Sequence, residues 1–213
     1  MRRFVSLIFL SLALLPMTGI ACTIADLFAS EPGNIFPLLT RTNRLDMVDY
    51  YNSGQTVAVP NNLAGESKLI SLDSIYLKLQ ASASKVVEMR MMTAGRDTVI
   101  AVIETVMTPV PDSHITFWNT QWQQYVRTGT FFKVPTIDNF ITRKMTRELR
   151  ADLQDAMIFP LIELTFTGEQ HDGLQASHGL ERFLAPDEFK RFASYLRPTL
   201  NYRVKGTKIK PVK

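Results

Sequence analysis

The chain of 213 residues carries a single cysteine, Cys22. One thiol excludes an internal disulfide, so the fold must be held by its core even in an oxidising compartment. Histidine is nearly as scarce, with only His114, His171 and His178. No glycine-rich phosphate loop, dinucleotide fingerprint or G-x-S-x-G nucleophile elbow occurs, which argues against the nucleotide-dependent and α/β-hydrolase classes that depend on them. After residue 21 no apolar run approaches the roughly 20 residues that a membrane-spanning helix needs. Acidic residues are also missing from the C-terminus, where Arg197, Arg203, Lys205, Lys208, Lys210 and Lys213 meet no Asp or Glu. Such a run reads first as a solvated strand edge or frayed end, although basic tails also meet anionic lipid headgroups or nucleic acid, the latter seldom met by an exported protein.

What is present begins at the N-terminus. Met1-Arg2-Arg3 precedes an apolar and serine run from Phe4 to Leu15, and Gly19-Ile20-Ala21 ends in small residues. This order of charged start, short apolar core and small-residue exit predicts a signal peptide over residues 1–21, cleaved before Cys22. Two forms of the exported protein stay open. In one Cys22 is a lipid-attachment site anchoring the chain to the periplasmic or outer membrane face; in the other the product is soluble in the periplasm or secreted. Removing residues 1–21 takes Arg2 and Arg3 and no acid, so 24 basic residues fall to 22 against 20 acids, a net charge of +2. With 46% hydrophobic residues the remainder suits one globular domain or two small ones.

Thr23 followed by Asp26 resembles a capping box opening a short helix, and Pro32-Gly33-Asn34 breaks it. Ile35 to Leu39 follow as a turn of apolar contacts. Thr40 or Thr42 caps a second helix over 43–51, with Leu45, Val48 and Tyr51, or Met47 and Tyr51, facing inward, and Gly54 closes it. From Gln55 to about Asn119 the period changes to two, the pattern of an antiparallel meander. Ile75, Leu77 and Leu79 alternate with Tyr76 and Lys78, and Val87, Met89 and Met91 with Glu88 and Arg90, so both strands read as half-buried. Val99 to Val106 reads as a central strand covered on both sides. Later come a strand at Thr130 to Val134, a helix at Arg143 to Ala156 and a strand from Phe159 to Thr167. A polar loop over Gly168 to Gly179 follows, then a helix opened by Pro186 with Phe189, Phe192, Ala193 and Leu196 inward, and a closing strand through Leu200, Tyr202 and Val204. The fold class is therefore α+β: N-terminal helices packed on an antiparallel meander over 22–126, followed by a smaller mixed helix and strand lobe over 127–213, as two units or one continuous domain.

At Asp26-Leu27-Phe28, Phe36-Pro37-Leu38-Leu39-Thr40 and Asn43 to Asp49 the chain resembles an exported Bacteroidetes family known as domain of unknown function 3256. The likeness continues through Ile115-Thr116-Phe117-Trp118 to Trp122 and the segments Thr165-Phe166-Thr167 and Leu200 to Tyr202, covering most of the mature chain. It implies an envelope or secreted protein and brings no catalytic residues with it. Many relatives carry Gln immediately after the cleavage point where this chain carries Cys22.

Glu169, His171, Asp172 and His178 share the polar loop, but His171 and His178 are seven apart and lack the i, i+4 spacing of a helical zinc motif, which favours a solvated loop. His114 stands alone. Asp26, Asp46 and Asp49 could pair as general acid and base, yet capping and surface roles explain each. Phe117, Trp118, Trp122 and Tyr125 could form a stacking face, although aromatics on a sheet more often belong to the core. No catalytic residue, metal or cofactor is assigned. The expectation is a non-enzymatic binding or accessory factor whose partner is an envelope protein or surface polymer. Nucleic acid is not expected, and the membrane is met only through a lipid anchor at Cys22. The alternative is a periplasmic hydrolase using carboxylates or the His171 loop.

Overall fold

The computed structural model describes residues 22–107, 109–157 and 161–212; the signal-type segment and the Phe159-Pro160 strand start lie wholly or partly outside these. Helix α1 (Ile24–Ser30) opens with the expected capping box. The Thr23 hydroxyl accepts the Asp26 N–H at 3.2 Å and the Asp26 carboxylate accepts the Thr23 N–H at 2.8 Å. The Thr23 N–H, with the Thr23 hydroxyl also donating to the carboxylate at 2.7 Å, holds the Asp26 carboxyl pKa below its ordinary value. Helix α2 (Arg41–Asn52) is capped by Thr40, with Asn43 completing the box, and Gly54 takes φ +75° past its end. Its inward face differs from expectation: Met47 is buried but so is Arg44, while Leu45 is 41% exposed.

The reason lies in the segment joining the helices. Arg44 donates to the carbonyls of Leu39 at 2.9 Å, Ala29 at 3.4 Å and Glu31, and its guanidinium stands 3.7 Å from the Glu31 carboxylate. Glu31 in turn accepts the N–H groups of Gly33 at 2.9 Å, Asn34 at 2.6 Å and Ile35 at 2.9 Å. A turn that reads in the sequence only as a break is thus built around a buried ion pair. Burial pushes the Arg44 guanidinium pKa down, and the nearby Glu31 charge opposes it.

Six strands follow: β1 (Ala58–Pro60), β2 (Glu66–Leu72), β3 (Tyr76–Ser82), β4 (Lys85–Ala94), β5 (Asp97–Val106) and β6 (Asp112–Trp118). They form one antiparallel sheet in sequence order, a meander as the alternation predicts. Strands β4 and β5 pair without interruption from Lys85↔Val106 to Ala94↔Asp97. Gly95, at the first position of their two-residue turn, takes φ +64°, which suits the hairpin twist. One face, with Leu77, Leu79, Val87, Met89, Ile100 and Val102, packs against the two helices. The other is not open to solvent. Tyr76, Glu88 and Arg90 are only 3%, 4% and 7% exposed, which corrects the half-buried reading of β3 and β4.

The cover is a second antiparallel sheet of β7 (Ile162–Thr167), β8 (Gly173–His178), β9 (Thr199–Lys205) and β10 (Lys208–Pro211), in the order β10-β9-β8-β7. Its Leu164, Phe166, Leu174, Ala176 and Ile209 share one core with Tyr76, Met92, Ala101, Ile103, Ile115 and Phe117 of the first sheet. The remaining helices are α3 (Arg147–Ala156), begun by Thr146 rather than at Arg143, α4 (Leu180–Phe183) and α5 (Pro186–Ala193). Several expectations fail here. Thr130 to Val134 is not a strand; residues 128–130 form a 3₁₀ turn, and Phe132 is drawn into the shared core. The supposed loop is a turn only up to Asp172. Beyond it β8 is an inner strand, with Leu174 and Ala176 wholly buried among polar neighbours that obscure the alternation. Strand β10 extends the chain beyond the expected closing strand, and Ala193, expected inward, is exposed.

The two sheets meet along an edge. The N–H groups of Ile162, Leu164 and Phe166, which have no strand among the described residues on their side of β7, donate to Asp112 Oδ1 at 3.0 Å, Ser113 Oγ at 2.9 Å and Glu88 Oε2 at 3.0 Å. Glu88 also accepts from Tyr76 Oη at 3.0 Å and Thr165 Oγ1 at 2.8 Å, with Lys78 Nζ at 3.1 Å. Burial, with the Glu88 carboxylate beside it, keeps the Tyr76 phenol protonated far above ordinary pH. Side chains of one sheet therefore act as the missing strand of the other.

The buried pair near the N-terminus yields a stability prediction. Glu31→Gln leaves Arg44 buried without its counter-charge and should cost about 3 kcal/mol in urea unfolding. Asp46→Asn, on the exposed face of α2, should stay within about 0.5 kcal/mol of the parent. Equal effects of the two would contradict the assigned role of the pair.

Candidate functional site

A group of polar side chains that borders a cleft gathers where the β7–β8 turn crosses the start of β3. Gly168 takes φ +86° and His171 φ +49°, so the turn reverses through two left-handed positions, one of them not glycine. Three contacts hold His171 there. Its ring stacks on Tyr76 with centroids 3.6 Å apart, its Nε2 lies 3.1 Å from Asp73 Oδ2, and its carbonyl accepts from Arg90 Nε. Asp73 is itself fixed, because Oδ1 accepts the N–H groups of Ile75 at 2.7 Å and Tyr76 at 2.8 Å. Asp172 lies 3.7 Å from Arg203 Nε. Arg90 bonds the Met91 carbonyl at 3.0 Å and lies 6.0 Å from the Phe166 ring centre. Burial lowers its pKa, opposed by Asp172 and Asp73.

Beside this group is a cleft of about 340 Å³, lined by Asp73, Ser74, Ile75, Arg90, Glu169 and Asp172 among others. An Asp–His couple at a cleft is the starting point for general base chemistry, which needs a ring nitrogen able to reach a substrate proton. Here Nε2 is turned to Asp73, and Nδ1 is buried with no partner among the described residues. The couple as arranged clamps the turn.

The other sequence candidates are scattered. Glu169, His171 and Asp172 stay together in the turn, but His178 stands at the far end of β8, with its ring against Phe140 at 5.2 Å. The four are not brought together, and no group of three or more His, Cys, Asp and Glu placed to hold a metal occurs among the described residues. Asp26 is engaged in its capping box, whereas Asp46 and Asp49 are exposed on α2. His114 is exposed on β6 opposite Glu104. Phe117 is wholly buried, and Trp122, 8% exposed at φ +59°, packs against Trp118 at 6.1 Å. The aromatic stretch is thus largely core, with Tyr125 at its exposed margin. Cys22 is exposed, immediately ahead of the α1 cap. What sequence reasoning missed are the structural acids Glu31 and Glu88, together with the β9–β10 hairpin. Alternation on both sides of Gly206-Thr207 was the signal for that hairpin.

Two antiparallel sheets with a shared core and N-terminal helices define an α+β protein built around a strut of buried polar groups. The chain belongs to the family described as protein of unknown function DUF3256, whose family model matches residues 17–209. It is similar in fold to a solved domain of an uncharacterized protein from Porphyromonas gingivalis W83. The TM-score is 0.77 at 23% identity, covering 89% of this chain and 97% of that one. No curated protein matches the chain. No described helix is long and apolar enough to cross a membrane.

His178 supplies a pH prediction. Burial lowers its pKa below the ordinary 6.5, opposed by the Arg197 backbone and Glu181. The folded ring stays neutral in a range where the unfolded ring takes up a proton. Stability is therefore full above about pH 7.5 and falls as the pH drops through 6.5 towards the folded value. Urea midpoints measured from about pH 8 to pH 5 should show this loss, and His178→Gln should flatten it. An unchanged profile in the variant would contradict the assignment.

Proposed function

We propose that this is an exported cell-envelope protein that works as a non-enzymatic binding or accessory factor for an envelope protein or surface polymer. The observation that carries the binding reading is the commitment of several acids and of His171 to holding the fold. Glu88 joins the sheets, and Asp73 and His171 hold a turn. Asp26 caps a helix and Glu31 organises the inter-helix turn. Support for export comes from the charge, apolar core and small-residue exit of residues 1–21. A lipid anchor at Cys22 is supported by its exposure and by a side-chain hydrogen bond that is local, to the Thr23 carbonyl. Acyl chains there would leave the Thr23–Asp26 cap intact.

A second reading, a periplasmic hydrolase, is favoured by one observation, the Asp73–His171 pair beside the 340 Å³ cleft. One set of measurements on protein from its native host separates the readings. The expected intact mass begins at Cys22, either unmodified or heavier by two or three acyl chains, and the protein is expected not to turn over ester or glycoside substrates. A mass beginning at Met1 would overturn export. Turnover that disappears in His171→Gln would overturn the binding reading in favour of the hydrolase.

A further inference from the structure

The C-terminal hairpin is not a frayed end. Tyr202, Val204 and Ile209 point one way and pack on the shared core. The Ile209 N–H bonds the Phe131 carbonyl at 2.8 Å, and the Val204 N–H bonds the Asp172 carbonyl at 2.8 Å. Gly206, at the tip, sits so close to the β4–β5 hairpin that an added Cβ would lie 3.2 Å from Ala94 Cβ. The other face of the hairpin is exposed and cationic. Arg203 lies opposite Lys210 and Lys205 opposite Lys208, so four positive side chains share one face in two directly opposed pairs. Like charges in that position destabilise a sheet. Only Arg203 has an acid near it, Asp172 at 3.7 Å; Lys205, Lys208 and Lys210 form no ion pair with a described residue. Arg203, Lys205 and Lys210 also line a hollow of about 560 Å³ with Pro211 and Val212.

The Arg203 end of this face is linked to the Cys22 end of the chain through successive contacts. The Ile24 N–H bonds the Ser74 carbonyl at 3.2 Å, Asp73 meets His171 at 3.1 Å, and Asp172 meets Arg203 at 3.7 Å. Three short contacts thus lead from the first turn of α1 to the cationic array.

We propose that the face formed by Arg203, Lys205, Lys208 and Lys210 is a docking surface for an anionic phospholipid leaflet. Charge complementarity selects the ligand. An outward array of cations on a hairpin held by its backbone bonds, around a hollow with apolar walls, matches clustered phosphate headgroups, and each cation near such a surface strengthens binding about fivefold. Membrane contact is then not confined to a lipid at Cys22, and the array would orient an anchored protein with this end against the bilayer. The biological setting rests on the export reading above. The binding itself does not.

The test uses the chain beginning at residue 22 with Cys22→Ser, so that neither an acyl chain nor the signal segment contributes. Sedimentation with vesicles of phosphatidylcholine, alone and with about one-quarter phosphatidylglycerol, should show binding to the anionic vesicles only. Salt at about 1 M should abolish it. Lys208→Gln with Lys210→Gln should weaken it roughly 25-fold, while the thermal midpoint stays the same or rises as the opposed charges are relieved. Equal binding to neutral vesicles, binding to neither kind, or an undiminished double variant overturns the proposal. So does displacement by millimolar glycerol phosphate, which would make the hollow a free-anion site. Failure here leaves the intact-mass result untouched, and the reverse also holds.

Discussion

An exposed strand edge is a row of unpaired backbone donors and acceptors, and a protein must cover it, charge it or pair it. Strand β7 is such an edge, turned towards the interior, where unpaired N–H groups would each cost on the order of 1–3 kcal/mol. The fold solves this with side chains. Asp112 and Ser113 from the start of β6 and Glu88 from β4 accept its three alternate N–H groups. The spacing works because alternate N–H groups on a strand point the same way, so three acceptors at the right height replace one strand. Glu88 does most, since it also fixes Tyr76 and Thr165. Tyr76 then supplies the surface on which His171 stacks, and His171 receives Arg90 at its carbonyl. The polar cluster that resembles a site is the extension of this strut to the sheet's end.

Much of the architecture is legible because its signals are local. Thr23 and Asp26, Thr40, Gly54 and Gly95 mark the ends of elements through their own backbone chemistry, and the meander follows from alternation alone. The missed features depend on what lies across from a residue. In β4 the order Val87-Glu88-Met89-Arg90 reads as apolar-in and polar-out, and nothing local distinguishes a charged side chain in water from one buried with four partners. Strand β8 has only Leu174 and Ala176 to show its inward face, and β10 has only Ile209. On α2 the inward place falls to Arg44 rather than Leu45 because it supplies donors to the carbonyls of Ala29 and Glu31 at the end of α1 and of Leu39 just before α2.

The same distinction governs function. Of the acids and histidines that invited catalytic readings, Asp26 is engaged in a cap and His171 and Asp172 in a turn, while Asp46, Asp49 and His114 face outward, as do the cations of the last hairpin. A sheet that opposes Arg203 to Lys210 and Lys205 to Lys208 gives up some stability. That cost is local, and the apolar face beneath the hairpin and its backbone bonds to Phe131 and Asp172 oppose it. Rigidity below and charge above suit a surface meant to meet another surface.

The central claim is that side chains of the first sheet serve as the missing neighbour of β7, and native-state hydrogen exchange of individual amides tests it most directly. The account predicts that the amides of Ile162, Leu164 and Phe166 open only with global unfolding, with protection equal to that of central β5. Exchange of these three at the rate of a fraying edge, while β5 stays protected, would contradict it.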